Sequence, residues 1–121
     1  GGLLDAHPDV VIAHEQGDLM YINAHFSRLQ LFYLLLRNAR HAAAGQRRSG
    51  SYLYEVPGQW QGRFRSLRVV GDKQGGGAVL RLERRPSLLA RLRRTVRLPL
   101  RCIHVVRHPL DNITTICRKA D

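Results

Sequence analysis

Acidic residues are scarce in this 121-residue sequence: 9 Asp and Glu face 20 Lys and Arg, leaving a formal charge of +11. Lysine is scarcer still, with Lys73 and Lys119 standing among 18 arginines, a bias read as genome composition and given no functional weight. Cysteine is limited to Cys102 and Cys117, which have no metal-ligand spacing and fit no disulfide framework, so buried, reduced thiols in a cytoplasmic protein are expected. Met20 is the only methionine, and Gly1-Gly2-Leu3-Leu4-Asp5 lacks the basic and long apolar regions of a signal peptide, as expected of a piece of a longer chain. Long apolar runs are missing as well. The stretch from Leu29 to Leu36 is broken by Gln30 and closed by Arg37, well short of the roughly 20 residues that span a bilayer.

A hydrophobic content of 44% argues against a disordered chain and suits one small domain or part of one. Charge is distributed unevenly. Residues 1–62 sum to zero, so the whole +11 lies in residues 63–121. A field concentrated on one half favours an anionic partner, such as a nucleotide, a nucleic acid or a phosphorylated or sulfated group. The plainer reading of Arg84, Arg85, Arg91, Arg93, Arg94 and Arg97 is the solvated face of one or two helices.

Leu3, Leu4 and Ala6 read as the end of a helix that stops before Pro8. Val10-Val11-Ile12-Ala13 is a short apolar, mostly β-branched run, expected of a strand buried on both faces, and it ends at His14-Glu15. Phe26, Leu29, Phe32, Tyr33 and Leu36 recur at helical spacing, with Ser27 near the start and Gly45 after the end, predicting a helix of about five turns. Residues 46–66 carry Gly50, Pro57, Gly58 and Gly62 around Tyr52, Tyr54 and Trp60, predicting a loop or irregular hairpin whose aromatics line a cleft or pack over the core. Leu67 to Val70 predicts a second strand running into Gly71-Asp72-Lys73. Helices over Ala78 to Arg85 and Ser87 to Val96 follow, then a third strand over Leu100 to Val106 and a last helix from about Leu110.

Apolar strands separated by helices argue for an α/β fold with a parallel sheet, whose ligands sit beyond the carboxyl ends of the strands. The three predicted strands end at Glu15, Lys73 and Arg107: an acid, a lysine and an arginine at equivalent positions.

Arg107-His108-Pro109-Leu110-Asp111-Asn112-Ile113-Thr114-Thr115 places an arginine after a strand and hydroxyls about two turns on, able to converge on one phosphate. The segment resembles the 3'-phosphate-binding motif of sulfotransferases that use 3'-phosphoadenosine 5'-phosphosulfate, with Thr115, or its neighbour Thr114, in place of the serine of that motif. Leu3-Leu4-Asp5-Ala6-His7-Pro8-Asp9-Val10 is similar to the stretch after the phosphosulfate-binding loop of the same superfamily, including its tyrosylprotein branch. By that resemblance Glu15 is the general base, with His14 a weaker candidate, and Lys73 stabilises charge on the transferred sulfuryl group or its leaving phosphate. Val56-Pro57-Gly58-Gln59-Trp60-Gln61-Gly62 is similar to a segment of bacterial sulfotransferase-like sequences. Asp72 is left with two readings, fixing the lysine or ending the strand, and Gly75 to Gly77 with two more, approach to a nucleotide or a flexible turn.

The resemblance implies a partial P-loop-type three-layer sandwich, a parallel sheet flanked by helices, with residues 1–121 an internal fragment of a single sulfotransferase domain. It implies sulfuryl transfer from the phosphosulfate co-substrate to a hydroxyl-bearing acceptor, without a metal. The phosphosulfate-binding loop of the family has no counterpart in these residues, so activity of the fragment alone is not expected. The alternative is a basic nucleic-acid-binding module, disfavoured because the basic half holds no docking motif or aromatic stacking pattern.

Overall fold

The structure is a computed structural model that describes residues 1–45, 48, 49, 52, 53, 55–106, 108–110, 113 and 117. A single turn of helix, α1 (Gly2–Asp5), leads through His7-Pro8 into strand β1 (Val10–His14), whose side chains alternate between fully and partly buried. Helix α2 (Asp18–Asn23) follows, started by Gly17 in the left-handed region at φ 83°. This helix is an addition to the sequence reading: six residues are too few to establish a periodicity.

Helix α3 (Arg28–Ala44) fulfils its prediction and opens with a capping box. Gln30 N–H donates to Ser27 Oγ at 3.4 Å, and Ser27 N–H donates to Gln30 Oε1 at 2.9 Å. The face it buries differs from the expected stripe. Leu31, Leu35 and Ala39 are inside, whereas Leu29 and Tyr33 are exposed. Leucines and aromatics occur all around this helix, so hydropathy alone does not select its inward face.

Two-residue strands β2 (Arg48–Ser49) and β3 (Tyr52–Leu53) pair antiparallel, in keeping with the predicted hairpin. Strand β4 (Val69–Lys73) then lies parallel to β1 in the register Val10↔Val69 to His14↔Lys73. Helices α4 (Gly76–Arg84) and α5 (Ser87–Val96) follow. Leu88, Leu92 and Val96 of α5 pack with Leu31 and Leu35 of α3, Leu19 and Ile22 of α2 and Ala13 of β1. The result is an α/β arrangement of helices around a two-stranded parallel sheet.

The expected third strand is corrected by the structure. Residues 101–106 have no strand structure, and Ile103, Val105 and Val106 stand 77%, 78% and 77% exposed. Their β-branched character is a preference for a packed, pleated surface and not for an extended backbone by itself; without a neighbouring strand edge it is not realised. The expected burial of the cysteines is corrected too: Cys102, in this uncovered segment, and Cys117 are both free and exposed. Pro109 and Leu110 are helical at the start of the predicted last helix, most of which lies outside the described residues. Among the described residues no helix is long and apolar enough to cross a membrane.

Candidate functional site

Parallel pairing brings the carboxyl ends of β1 and β4 to the same edge of the sheet, and with them Glu15 and Lys73. Lys73 Nζ donates to Glu15 Oε1 at 2.5 Å, and Glu15 N–H donates to Lys73 O at 2.8 Å. Glu15 turns off the strand in the left-handed region at φ 54°, a conformation costly for a residue with a Cβ. The bonds to Lys73 hold it there. The ammonium lowers the carboxyl pKa of Glu15 from its ordinary value, chiefly through their hydrogen bond, against an opposing contribution from partial burial; His14 adds a weaker pull downward.

Other elements begin beside this pair. A Cβ built on Gly1, which precedes α1, would lie 3.3 Å from Lys73 Cγ. One on Gly75, the N-cap of α4, would lie 3.5 Å from Glu15 Oε1. The glycine run therefore starts a helix next to the carboxylate, and Gly76 and Gly77 have open space around their Cβ positions. Small residues at both approaches leave the ion pair reachable: its side chains are 51% exposed for Glu15 and 32% for Lys73.

Asp72 supports the loop that carries Glu15 into α2. Its carboxylate accepts from the N–H groups of Gln16 at 3.1 Å, Gly17 at 2.9 Å and Asp18 at 3.2 Å, and from Gln74 Nε2. Beyond the two sequence readings, fixing the lysine or ending the strand, this geometry gives Asp72 a role in organising the loop that follows β1. Burial raises the Asp72 pKa in spite of these donors, and burial together with the Asp72 charge pushes Asp18 up to about 6. On the far side of β1, Asn38 of α3 brackets His14, its Oδ1 accepting from His14 N–H at 2.7 Å.

Asp5 is the residue that sequence reasoning missed. It is fully buried, and its Oδ1 accepts from Ile12 N–H at 2.5 Å while Oδ2 accepts from Gly62 N–H at 3.1 Å. Gln61, also buried, accepts from Val56 N–H at 2.6 Å and donates to Gly2 O at 3.2 Å. The two stretches that carried much of the family resemblance, residues 3–10 and 56–62, are thus bonded to each other. An Asp inside a helical turn two residues before a His-Pro pair is the signal that could have marked it. Of the loop aromatics, Trp60 is exposed, with the Arg63 guanidinium 5.6 Å from its ring centroid, and Phe64 lines an open groove of about 780 Å³ against Arg40 and Ala43 of α3. Glu15 and Lys73 line no part of that groove, so its size does not make it the reactive centre.

Arg107, Thr114 and Thr115 lie outside the described residues, so two of the three expected strand-end groups are seen together. Among the described residues no group of three or more His, Cys, Asp or Glu side chains is placed to hold a metal ion. No family model matches the chain, and no curated protein or solved structure matches it.

Proposed function

We propose that this chain carries the catalytic edge of a sulfotransferase domain that transfers a sulfuryl group from 3'-phosphoadenosine 5'-phosphosulfate to an acceptor hydroxyl. The observation that supports the reading is the pairing of Glu15 with Lys73 at the carboxyl edge of two parallel strands, next to two glycine-started helices. In the reaction the acceptor oxygen attacks sulfur, the bond from sulfur to the bridging phosphate oxygen breaks, and the leaving phosphate keeps the electron pair. Glu15 takes the acceptor proton. The Lys73 ammonium offsets charge on the sulfuryl group and the leaving phosphate. Arg107, with Thr115 or Thr114, holds the 3'-phosphate through a forked guanidinium contact and a hydroxyl. The finer architecture that goes with this reading is a three-layer sandwich of which β1 and β4 are two strands.

The ion pair gives this mechanism an order. While Lys73 is bonded to Glu15, the carboxylate is a weaker base than an ordinary glutamate. A donor whose sulfonate or phosphate draws the ammonium away releases the carboxylate and strengthens it, so donor binding precedes proton removal.

The test, made in the complete protein that carries this chain, is transfer of labelled sulfuryl from the donor to a panel of phenols, alcohols and sugars, together with direct binding of the desulfated nucleotide. Glu15→Gln keeps shape and hydrogen bonding, and turnover should fall by about 100-fold or more with nucleotide affinity little changed. Arg107→Ala should weaken the nucleotide by about 1.5 to 3 kcal/mol and shrink the preference for a 3'-phosphate. A complete protein that fails to bind the nucleotide, or whose Glu15→Gln variant turns over at the original rate, would refute the reading.

A further inference from the structure

The first turn of α3 and the last turns of α5 enclose an open groove of about 580 Å³, lined by Arg28, Arg91, Arg94 and Arg97 together with Ser27 and Thr95. Four arginines line it, from two elements far apart in sequence. No carboxylate lines the groove, and none of the four is in an ion pair among the described residues. Arg28 Nη1 donates to Val96 O at a long 3.5 Å, and Arg91 Nη2 lies 3.1 Å from His25 Nδ1.

Helix electrostatics explain only part of this cluster. A cation near the end of α5 complements the negative pole of that helix, which accounts for Arg94. Arg28 is the first residue of α3, at the positive pole of that helix, and its guanidinium reaches across to the last carbonyl of α5. The first-turn N–H groups of α3, which have no carbonyl of their own helix to bond, add positive potential on the same side. A multiply charged anion would offset the positive charge gathered along this groove.

We propose that this groove binds a compact oligophosphate, a ligand presenting two or three adjacent phosphate groups. Arg91 and Arg94 lie three residues apart on α5, a rise of about 4.5 Å, and Arg97 follows at its C-cap, so the three extend beyond a single phosphate. Planar guanidinium forks match phosphate oxygens in pairs. Among the described residues Leu29 is the one apolar side chain in the lining and no aromatic ring is there to stack a base, so recognition is of the phosphate chain and not of a nucleobase. The site is independent of the sulfuryl-transfer reading, since neither Glu15 nor Lys73 contributes to it.

Calorimetric titration at physiological salt tests this with inorganic tripolyphosphate, orthophosphate, ATP, adenosine and a 12-residue DNA strand. Tripolyphosphate should bind at one site at least about tenfold more tightly than orthophosphate, and the Arg91→Ala, Arg94→Ala double variant should lose at least about tenfold. The Arg84→Ala, Arg93→Ala variant, with the same loss of charge away from the groove, should change affinity less than about twofold. Should the double variant unfold, Arg94→Ala alone, at an exposed position, should still lose about fivefold. ATP binding as well as tripolyphosphate identifies a nucleotide's phosphate chain as one source, and ATP binding more weakly identifies the free oligophosphate; both support the site. Equal losses in the two double variants would reduce the groove to general electrostatics. Adenosine binding as well as ATP, or the DNA strand binding more tightly than tripolyphosphate, would overturn the proposal.

Discussion

Gly62 N–H and Ile12 N–H donate to the two oxygens of the same Asp5 carboxylate, at 3.1 Å and 2.5 Å, so one buried acid fastens the loop around Trp60 to the centre of β1. Without that carboxylate two interior amides would lose their acceptor. An unsatisfied buried donor costs about 1 to 3 kcal/mol, so Asp5→Ala should destabilise the chain by about 2 to 5 kcal/mol. Urea unfolding followed by circular dichroism measures it. A midpoint unchanged from that of the parent protein would mean that the amides find other acceptors.

Gly62 meets a second constraint. Its φ is +70°, and an added Cβ would come within 2.6 Å of Ala43 Cβ and 2.8 Å of Ala39 O. Left-handed strain and overpacking act together, so Gly62→Ala should cost about 2 to 4 kcal/mol. Adding Ala43→Gly relieves the side-chain contact and leaves the carbonyl contact, so it should recover only part of the loss. Full recovery in the double variant would show that the backbone conformation contributes nothing.

Stability should fall as pH rises from about 4 to 6. Asp18 has its folded pKa raised from 3.8 to about 6, which means that the folded state holds the proton more tightly than the unfolded chain in that interval. Its contribution is complete below 3.8 and is lost as pH climbs through 6, amounting to about 1 to 3 kcal/mol. Asp72 is shifted in the same direction by its burial, while Glu15, shifted down by Lys73, acts in the opposite sense. Asp18→Asn keeps an oxygen for Leu19 N–H and removes the titration, so its stability profile should be flatter across this range. A variant profile parallel to the parent's would assign the slope to other groups.

The Glu15 carboxyl should titrate at a higher pH in Lys73→Ala, because the ammonium that holds its pKa down is gone. Carboxyl carbon shifts followed by nuclear magnetic resonance across an acid titration read this directly. An unmoved midpoint would mean that the two side chains are not paired in solution. This measurement is independent of any catalytic role.

Much of the sheet edge was legible because it depends on local chemistry. Val10 to Ala13 are apolar and mostly β-branched, Gly71-Asp72-Lys73 closes the next such run, and parallel pairing then forces Glu15 and Lys73 together. Ser27 and Gly45 bounded α3 for equally local reasons. What was not legible depends on partners distant in sequence. Nothing near Asp5 says that its oxygens meet the amides of Ile12 and Gly62, nothing in α3 says which of its leucines turn inward, and Ile103 to Val106 look like a strand until the neighbouring edge is asked for. The arginines of α5 read as a solvated face because Arg28, which closes the groove with them, belongs to another helix.

The parallel register of β1 and β4 also governs the order in which the molecule can assemble. Glu15 and Lys73 are 58 residues apart, and the strands they end cannot pair until the chain between them has folded back. Closing so long a loop is entropically costly and slow relative to winding α3, whose cap and first turns need only their own neighbours. On the ribosome, Glu15 emerges long before its partner exists and waits through the synthesis of the intervening helices and hairpin. The charge pair is therefore a late event in folding, and its formation marks the moment at which the two halves of the sheet have found each other.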